Sequence, residues 1–102
     1  MGQRLKVAEK KDIPDGEGIS VMVGRDPVAI VNDKGAFFAV SDVCPHAGGP
    51  LSQGWVEDGQ VTCPWHGWVF PLHEDCCKPH NDGLLRYKVI TEGEDIYIEL
   101  PD

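Results

Sequence analysis

The 102-residue chain contains no apolar run approaching the roughly 18 residues that a membrane-spanning helix requires. That excludes a helical membrane span and leads us to expect a soluble protein. The first residues, Met1-Gly2-Gln3-Arg4-Leu5-Lys6, lack a basic segment followed by an apolar one, so no secretory signal is expected and a cytoplasmic location is. Lys6 stands where a myristoylation signal wants Ser or Thr. Basic residues are scarce as well. Nine Lys and Arg face 17 Asp and Glu, for a net charge of −8, and none of the nine lies between Lys34 and Lys78. Nucleic acid is a poor partner for such a charge, so that class of function is excluded. No window carries a sustained helical period capped at both ends, and no internal repeat, linker or low-complexity tract is visible.

What is present describes one small β domain. With 41% hydrophobic and 25% charged residues the composition is that of an ordinary globular protein. Dividing the chain would leave neither half a workable core, so a single domain over residues 1–102 is expected. Twelve Gly and eight Pro favour turns over long helices. Apolar and β-branched runs occur at 5–8, 19–23, 28–31, 36–40, 61–63, 68–70, 84–90 and 96–100. Turn signals separate them: Asp15-Gly16, Gly24-Arg25-Asp26, Asn32-Asp33-Lys34-Gly35, Glu57-Asp58-Gly59 and Glu92-Gly93-Glu94-Asp95. Alternation is clearest at the end, where Ile96, Ile98 and Leu100 should face inward and Tyr97 and Glu99 outward. The expected architecture is all-β and antiparallel, a sandwich or small barrel. Residues 41–54 and 71–83 break the strand rhythm and read as loops. The acidic excess in the second half reads either as a solvated face or as a surface that steers toward a basic partner.

Four cysteines would make two disulfides only in a secreted chain; in a reducing cytosol, Cys beside His reads first as a metal site. Cys44-Pro45-His46 and Cys63-Pro64-Trp65-His66 each supply one thiolate and one imidazole, with 16 residues between His46 and Cys63. Zinc fingers pair like ligands at wider spacing, so Cys-x-His does not suit them. Two mixed loops suit two metal centres, each taking one ligand type from both loops. Pro45 and Pro64 stiffen the loops beside the ligands. Gly48, Gly49 and Gly67 are expected to let backbone approach a bulky cluster, with N–H groups aimed at sulfides.

This pattern resembles the Rieske motif, Cys-x-His followed at similar distance by Cys-x-x-His. The likeness continues through Gly49-Pro50-Leu51-Ser52, Gly54, His66-Gly67-Trp68 and Leu84-Leu85-Arg86-Tyr87. It is strong from about residue 40 to 100 and only in outline before that. The resemblance implies a Rieske-type antiparallel β sandwich or barrel with a small inserted cluster-binding subdomain at about 41–80. It implies one 2Fe–2S cluster, with Cys44 and Cys63 on the inner iron and His46 and His66 on the outer iron that takes the electron. Sulfides and two thiolates balance two ferric ions, because neutral imidazoles add no charge. An electron therefore enters more easily than in an anionic all-thiolate cluster.

Departures from the family pattern matter too. Respiratory Rieske proteins carry a further Cys in each ligand loop, joined as a disulfide; here those positions look like Gly49 and Trp65. They also place Ser and Tyr after the second loop, where this chain has Trp68 and Phe70. Without those hydroxyl donors, and with no Lys or Arg close in sequence, a low-potential soluble type is implied. Trp55, Trp65 and Trp68 are expected to pack around the loops, and Tyr87 and Tyr97 to be ordinary strand residues. Pro79 reads either as part of a third loop shielding the cluster or as a turn proline. Cys76 and Cys77, with His73 and His80 nearby, read as free thiols in a loop or as a second metal site.

The expected function is that of a one-electron carrier, not an enzyme, passing electrons from a flavin-dependent reductase to a terminal oxygenase. The alternatives are the small subunit of an NAD(P)H-dependent nitrite reductase, working with that enzyme's large subunit, and, in another class, a non-redox zinc-binding module. A Rieske piece of an oxygenase large subunit would need a second iron-binding domain, for which 102 residues leave no room.

Overall fold

The β-branched runs become strands and the glycine-bearing turn signals become the connections. The computed structural model describes residues 3–44, 48–65, 67–72 and 85–100. Among them are nine strands: β1 (Gln3–Glu9), β2 (Gly18–Val23), β3 (Asp26–Asp33), β4 (Ala36–Ser41), β5 (Trp55–Glu57), β6 (Gln60–Thr62), β7 (Val69–Pro71), β8 (Arg86–Glu92) and β9 (Asp95–Leu100). All pair antiparallel. Six form a large sheet in the order β1-β9-β8-β4-β3-β2, and β5-β6-β7 form a small one. The all-β expectation holds. Two single-turn 3-10 helices, Lys10–Asp12 and Leu51–Gln53, add to the strands, and no described helix is long and apolar enough to cross a membrane.

Burial explains how the large sheet closes. Ala8 of β1 and Val23 of β2 lie on opposite edges of the sheet, yet both belong to one core with Ile13, Val28, Ile30, Ala39, Ile96 and Ile98. The sheet therefore curls until its two edges share an interior. In β3, Val28 and Ile30 enter this core, while Ala29 and Val31 enter a second one on the opposite face. All four are fully buried, which is why the strand reads as a continuous apolar run rather than an alternating one. Ile96 and Ile98 are likewise fully buried, and Tyr97 and Glu99 are half-buried, as alternation predicts.

The second core contains Ala29, Val31, Val40, Cys44, Leu51, Val56, Val61, Cys63, Phe70 and Leu72. It lies between the outer face of β3–β4 and the small sheet. In chain order the small sheet falls between β4 and β8, which are neighbours in the large sheet through Ala39–Tyr87 and Val40–Arg86. It is thus an insertion between adjacent strands. Two tight turns fasten it to the large sheet. Lys34-Gly35 and Asp58-Gly59 each place two successive residues at positive φ, 54° and 91° in one and 52° and 73° in the other, as two-residue hairpins prefer. The Gly59 N–H donates to Asp33 Oδ2 at 2.5 Å, and Lys34 Nζ lies 3.9 Å from Asp58 Oδ1.

Strand boundaries differ from expectation at the small sheet. Trp55–Glu57 forms a strand that the sequence does not announce: three residues between a loop and a turn are too short to show a period, and only Val56 is buried. Cys63 and Trp68 lie just outside β6 and β7, so the cysteine leaves the ladder as its loop begins.

Candidate metal centre

Each cysteine-bearing loop grows from the insertion, and the first has a clamped base. The Asp42 N–H donates to the Pro27 carbonyl at 2.9 Å, and the Asp42 carbonyl accepts the Leu51 N–H at 3.0 Å. Its carboxylate Oδ1 accepts the Ser52 N–H at 2.7 Å. A bridge between Val43 and Pro50 closes the neck. Both Asp42 and Ser52 are buried, so these bonds are shielded from competing water.

Above this base the two loops repeat one backbone design. The Cys44 N–H donates to the Gly49 carbonyl at 2.9 Å, and the Gly48 N–H donates to the Cys44 carbonyl at 2.8 Å. In the second loop the Cys63 N–H donates to the Trp68 carbonyl at 2.7 Å, and the Gly67 N–H to the Cys63 carbonyl at 3.1 Å. Donors and acceptors thus fall at the same offsets from each cysteine. Gly48 and Gly67, each fourth after its cysteine, both have φ 73°. A side chain there would force left-handed backbone, at about 1–2 kcal/mol. A Cβ on either would meet no atom of the described residues within 4 Å. These two glycines serve the turn through their positive φ.

Cys44 and Cys63 are 1% and 0% exposed, neither is in a disulfide, and both join the same apolar core. Burial alone would not mark them, since free cysteine often serves as a small core hydrophobe. Two cysteines at identical points of two matching turns, sharing one apolar pocket, do mark a pair. Paired thiols suit a soft iron–sulfur centre, so the residues present fit that group. His46 and His66 lie outside the described residues, as do His73, Cys76, Cys77, Pro79 and His80. Among the described residues no group of three or more His, Cys, Asp or Glu gathers to hold a metal ion.

The surroundings differ from expectation in two respects. Trp55, Trp65 and Trp68 are 62%, 59% and 48% exposed, so none is enclosed by the loops it flanks. With Val43 and Val69, also about half exposed, they give this end an apolar surface. Phe70 does pack, pairing with Val61 and sharing the cysteines' core. Two charged residues support the insertion in ways that the sequence does not show. Asp42 looked like one more acid, and its role appears only when the loop closes on it. Arg86, distant in sequence from both loops, is 2% exposed and donates from Nε to the Pro71 carbonyl at 2.9 Å. It brings a guanidinium to the edge of an insertion whose own sequence is poor in basic residues. The sequence places Arg86 in the stretch that resembles the family, but its burial and its bond to Pro71 depend on the fold.

Comparison with known proteins converges on this geometry. The description "Rieske [2Fe-2S] domain" matches residues 3–88. The 3-phenylpropionate/cinnamic acid dioxygenase ferredoxin subunit of Escherichia coli (strain K12) is 37% identical over 103 aligned positions, covering 97% of this chain and 95% of that one. Among solved structures, a complex of reduced oxygenase and oxidized ferredoxin in carbazole 1,9a-dioxygenase matches with TM-score 0.78 and 26% identity, covering 94% of this chain and 92% of the other. An NADH-dependent nitrite reductase small subunit described from Mycobacterium tuberculosis matches with TM-score 0.83, covering 100% and 98%; at 22% identity that likeness is one of fold.

Proposed function

This chain belongs to the Rieske 2Fe–2S domain family, and we propose that within it the chain is a one-electron carrier serving an oxygenase. When bound, the 2Fe–2S cluster supplies reversible one-electron storage. Family membership sets the zinc-binding alternative aside. Cys44 and Cys63 would hold the cluster's inner iron, and His46 and His66 the outer one. The observation that carries the reading is the matched pair of closed turns, which brings two buried thiols into one apolar pocket.

The chain's own residues do the rest. Asp42 and the two glycine turns fix the thiol positions before metal arrives, so little reorganisation accompanies loading. The apolar core behind the thiols excludes water. The exposed apolar surface at Val43, Trp65 and Trp68 gives a partner a dry contact close to the cysteines. The chain acts as a single domain over residues 1–102, with a cluster-binding subdomain at about 41–80, in the cytoplasm and without catalysing a reaction alone. Its partners are a flavin-dependent reductase and a terminal oxygenase. The sequence kinship with a dioxygenase ferredoxin subunit favours that pair over the nitrite reductase large subunit.

Ser substitution tests the ligand set. Cys44→Ser or Cys63→Ser should abolish cluster assembly, while the Cys76→Ser/Cys77→Ser double variant should retain it. A double variant that loses iron while Cys44→Ser keeps it would overturn the assignment.

A further inference from the structure

Three glycines flank the cysteine turns, and one differs in kind. Gly48 and Gly67 are required by positive φ, and a Cβ on either would meet none of the described residues. Gly49 is not among the positive-φ residues. A Cβ there would lie 2.8 Å from both Cγ and Cδ2 of Trp65 and 3.1 Å from Cδ1. The indole thus rests on the Gly49 backbone more closely than any side chain permits.

Both ends of this contact are bonded into cysteine turns. The Gly49 carbonyl accepts the Cys44 N–H, and Trp65 lies inside the turn that Gly67 closes onto Cys63. At 59% exposure the indole does not fill a core; the described contact it makes with the other loop is on Gly49. We propose that Trp65 lying on Gly49 is a clasp that fixes the separation of the two cysteine loops, making Trp65 and Gly49 positioning residues for the cluster. The proposal rests on the reading that both loops hold one cluster. A flat, rigid ring on bare backbone can set such a distance without a covalent bond, and the glycine is what admits the ring. Position 49 is therefore small because position 65 is large, and the two should vary as a unit.

A double-mutant cycle tests this on the cluster-loaded protein: Gly49→Ala, Trp65→Ala, both together, and Trp65→Phe. Iron loss to a chelator is followed by bleaching of visible absorbance, and visible circular dichroism reports the cluster's surroundings. Gly49→Ala should speed iron loss about tenfold, because the added methyl pushes the ring away. In the Trp65→Ala background the same change should alter the rate by no more than about twofold. The dichroism should shift in both single variants and return most of the way in Trp65→Phe. An equal effect of Gly49→Ala in both backgrounds would overturn the clasp. If Gly49→Ala assembles no cluster, recovery of assembly in the double variant supports the clasp and continued failure overturns it. Cys44→Ser, measured alongside, separates the two ideas: retention of its cluster would refute the ligand reading, whereas the cycle judges the clasp.

Discussion

Replacing Asp42 with Ala should destabilise the protein by about 2 kcal/mol, because it strips an acceptor from a buried N–H. The carboxylate takes the Ser52 N–H at 2.7 Å, and both residues are buried. Removing it leaves that donor without a partner, a loss in the range of about 1–3 kcal/mol. The two backbone bonds of Asp42, to Pro27 and from Leu51, survive the substitution, so the neck of the loop loosens without opening. Asp42→Asn keeps an oxygen acceptor but gives up the charge assistance, which contributes about half of such a bond, so its cost should be about 1 kcal/mol. For a domain near this length the alanine variant should melt about 8–16 °C lower, and asparagine about half as far. Urea and thermal unfolding, followed together by far-ultraviolet dichroism and by visible absorbance, measure both variants against the parent at equal cluster loading. The visible signal should be lost before the dichroism in Asp42→Ala, because the damage is local to the first cysteine loop. An alanine variant within about 0.5 kcal/mol of the parent, or asparagine as damaging as alanine, would refute the argument.

Other consequences follow from the same geometry. Phe70 shares the cysteines' core, so Phe70→Tyr with Trp68→Ser should bring hydroxyl donors toward the cluster and raise a midpoint potential expected at about −150 mV, the low end of the Rieske range; voltammetry showing a native value above zero would contradict this. Electron transfer to the oxygenase should slow as salt is added, since a chain of net charge −8 is steered over a Debye length of about 8 Å; a rate flat in salt would mean that the apolar surface at Val43, Trp65 and Trp68 governs docking. Hydrogen bonding to Asp95, 3.1 Å away, and the charge of that carboxylate raise the Lys6 ammonium above its ordinary 10.5. A raised folded-state value means that the contact supports the fold below pH 10.5 and is lost as pH climbs through the folded value. Asp95→Asn should therefore bring Lys6 back toward 10.5 in an NMR titration.

Much of the fold was legible because its determinants are local. Asp33-Lys34-Gly35 and Glu57-Asp58-Gly59 announce tight turns from their own chemistry, and β9 shows its faces by alternation. The cysteine loops were legible as a motif, through Cys44-Pro45-His46 and Cys63-Pro64-Trp65-His66. What escaped depends on contacts distant in sequence. β5 exists because Val56 meets Val61 across a hairpin, a pairing that three residues cannot advertise. Asp42 matters because Ser52 comes back to it, and Arg86 because Pro71 ends beside it. The glycines illustrate the limit best. Gly48 and Gly49 are neighbours and look interchangeable, yet one is required by its own φ and the other by a tryptophan sixteen positions away.

The central claim, that two cysteines and two histidines hold one 2Fe–2S cluster, is tested most directly by electron–nuclear double resonance on the reduced protein. Protein grown with ¹⁵N-histidine, assayed in parallel for iron and acid-labile sulfide, should contain two irons and two sulfides per chain and show two coupled histidine nitrogens. His46→Ala and His66→Ala should each remove a nitrogen coupling or prevent assembly. A cluster with the same iron and sulfide content but no histidine coupling would contradict the account, because Cys76 and Cys77 would then have to complete an all-thiolate ligand set.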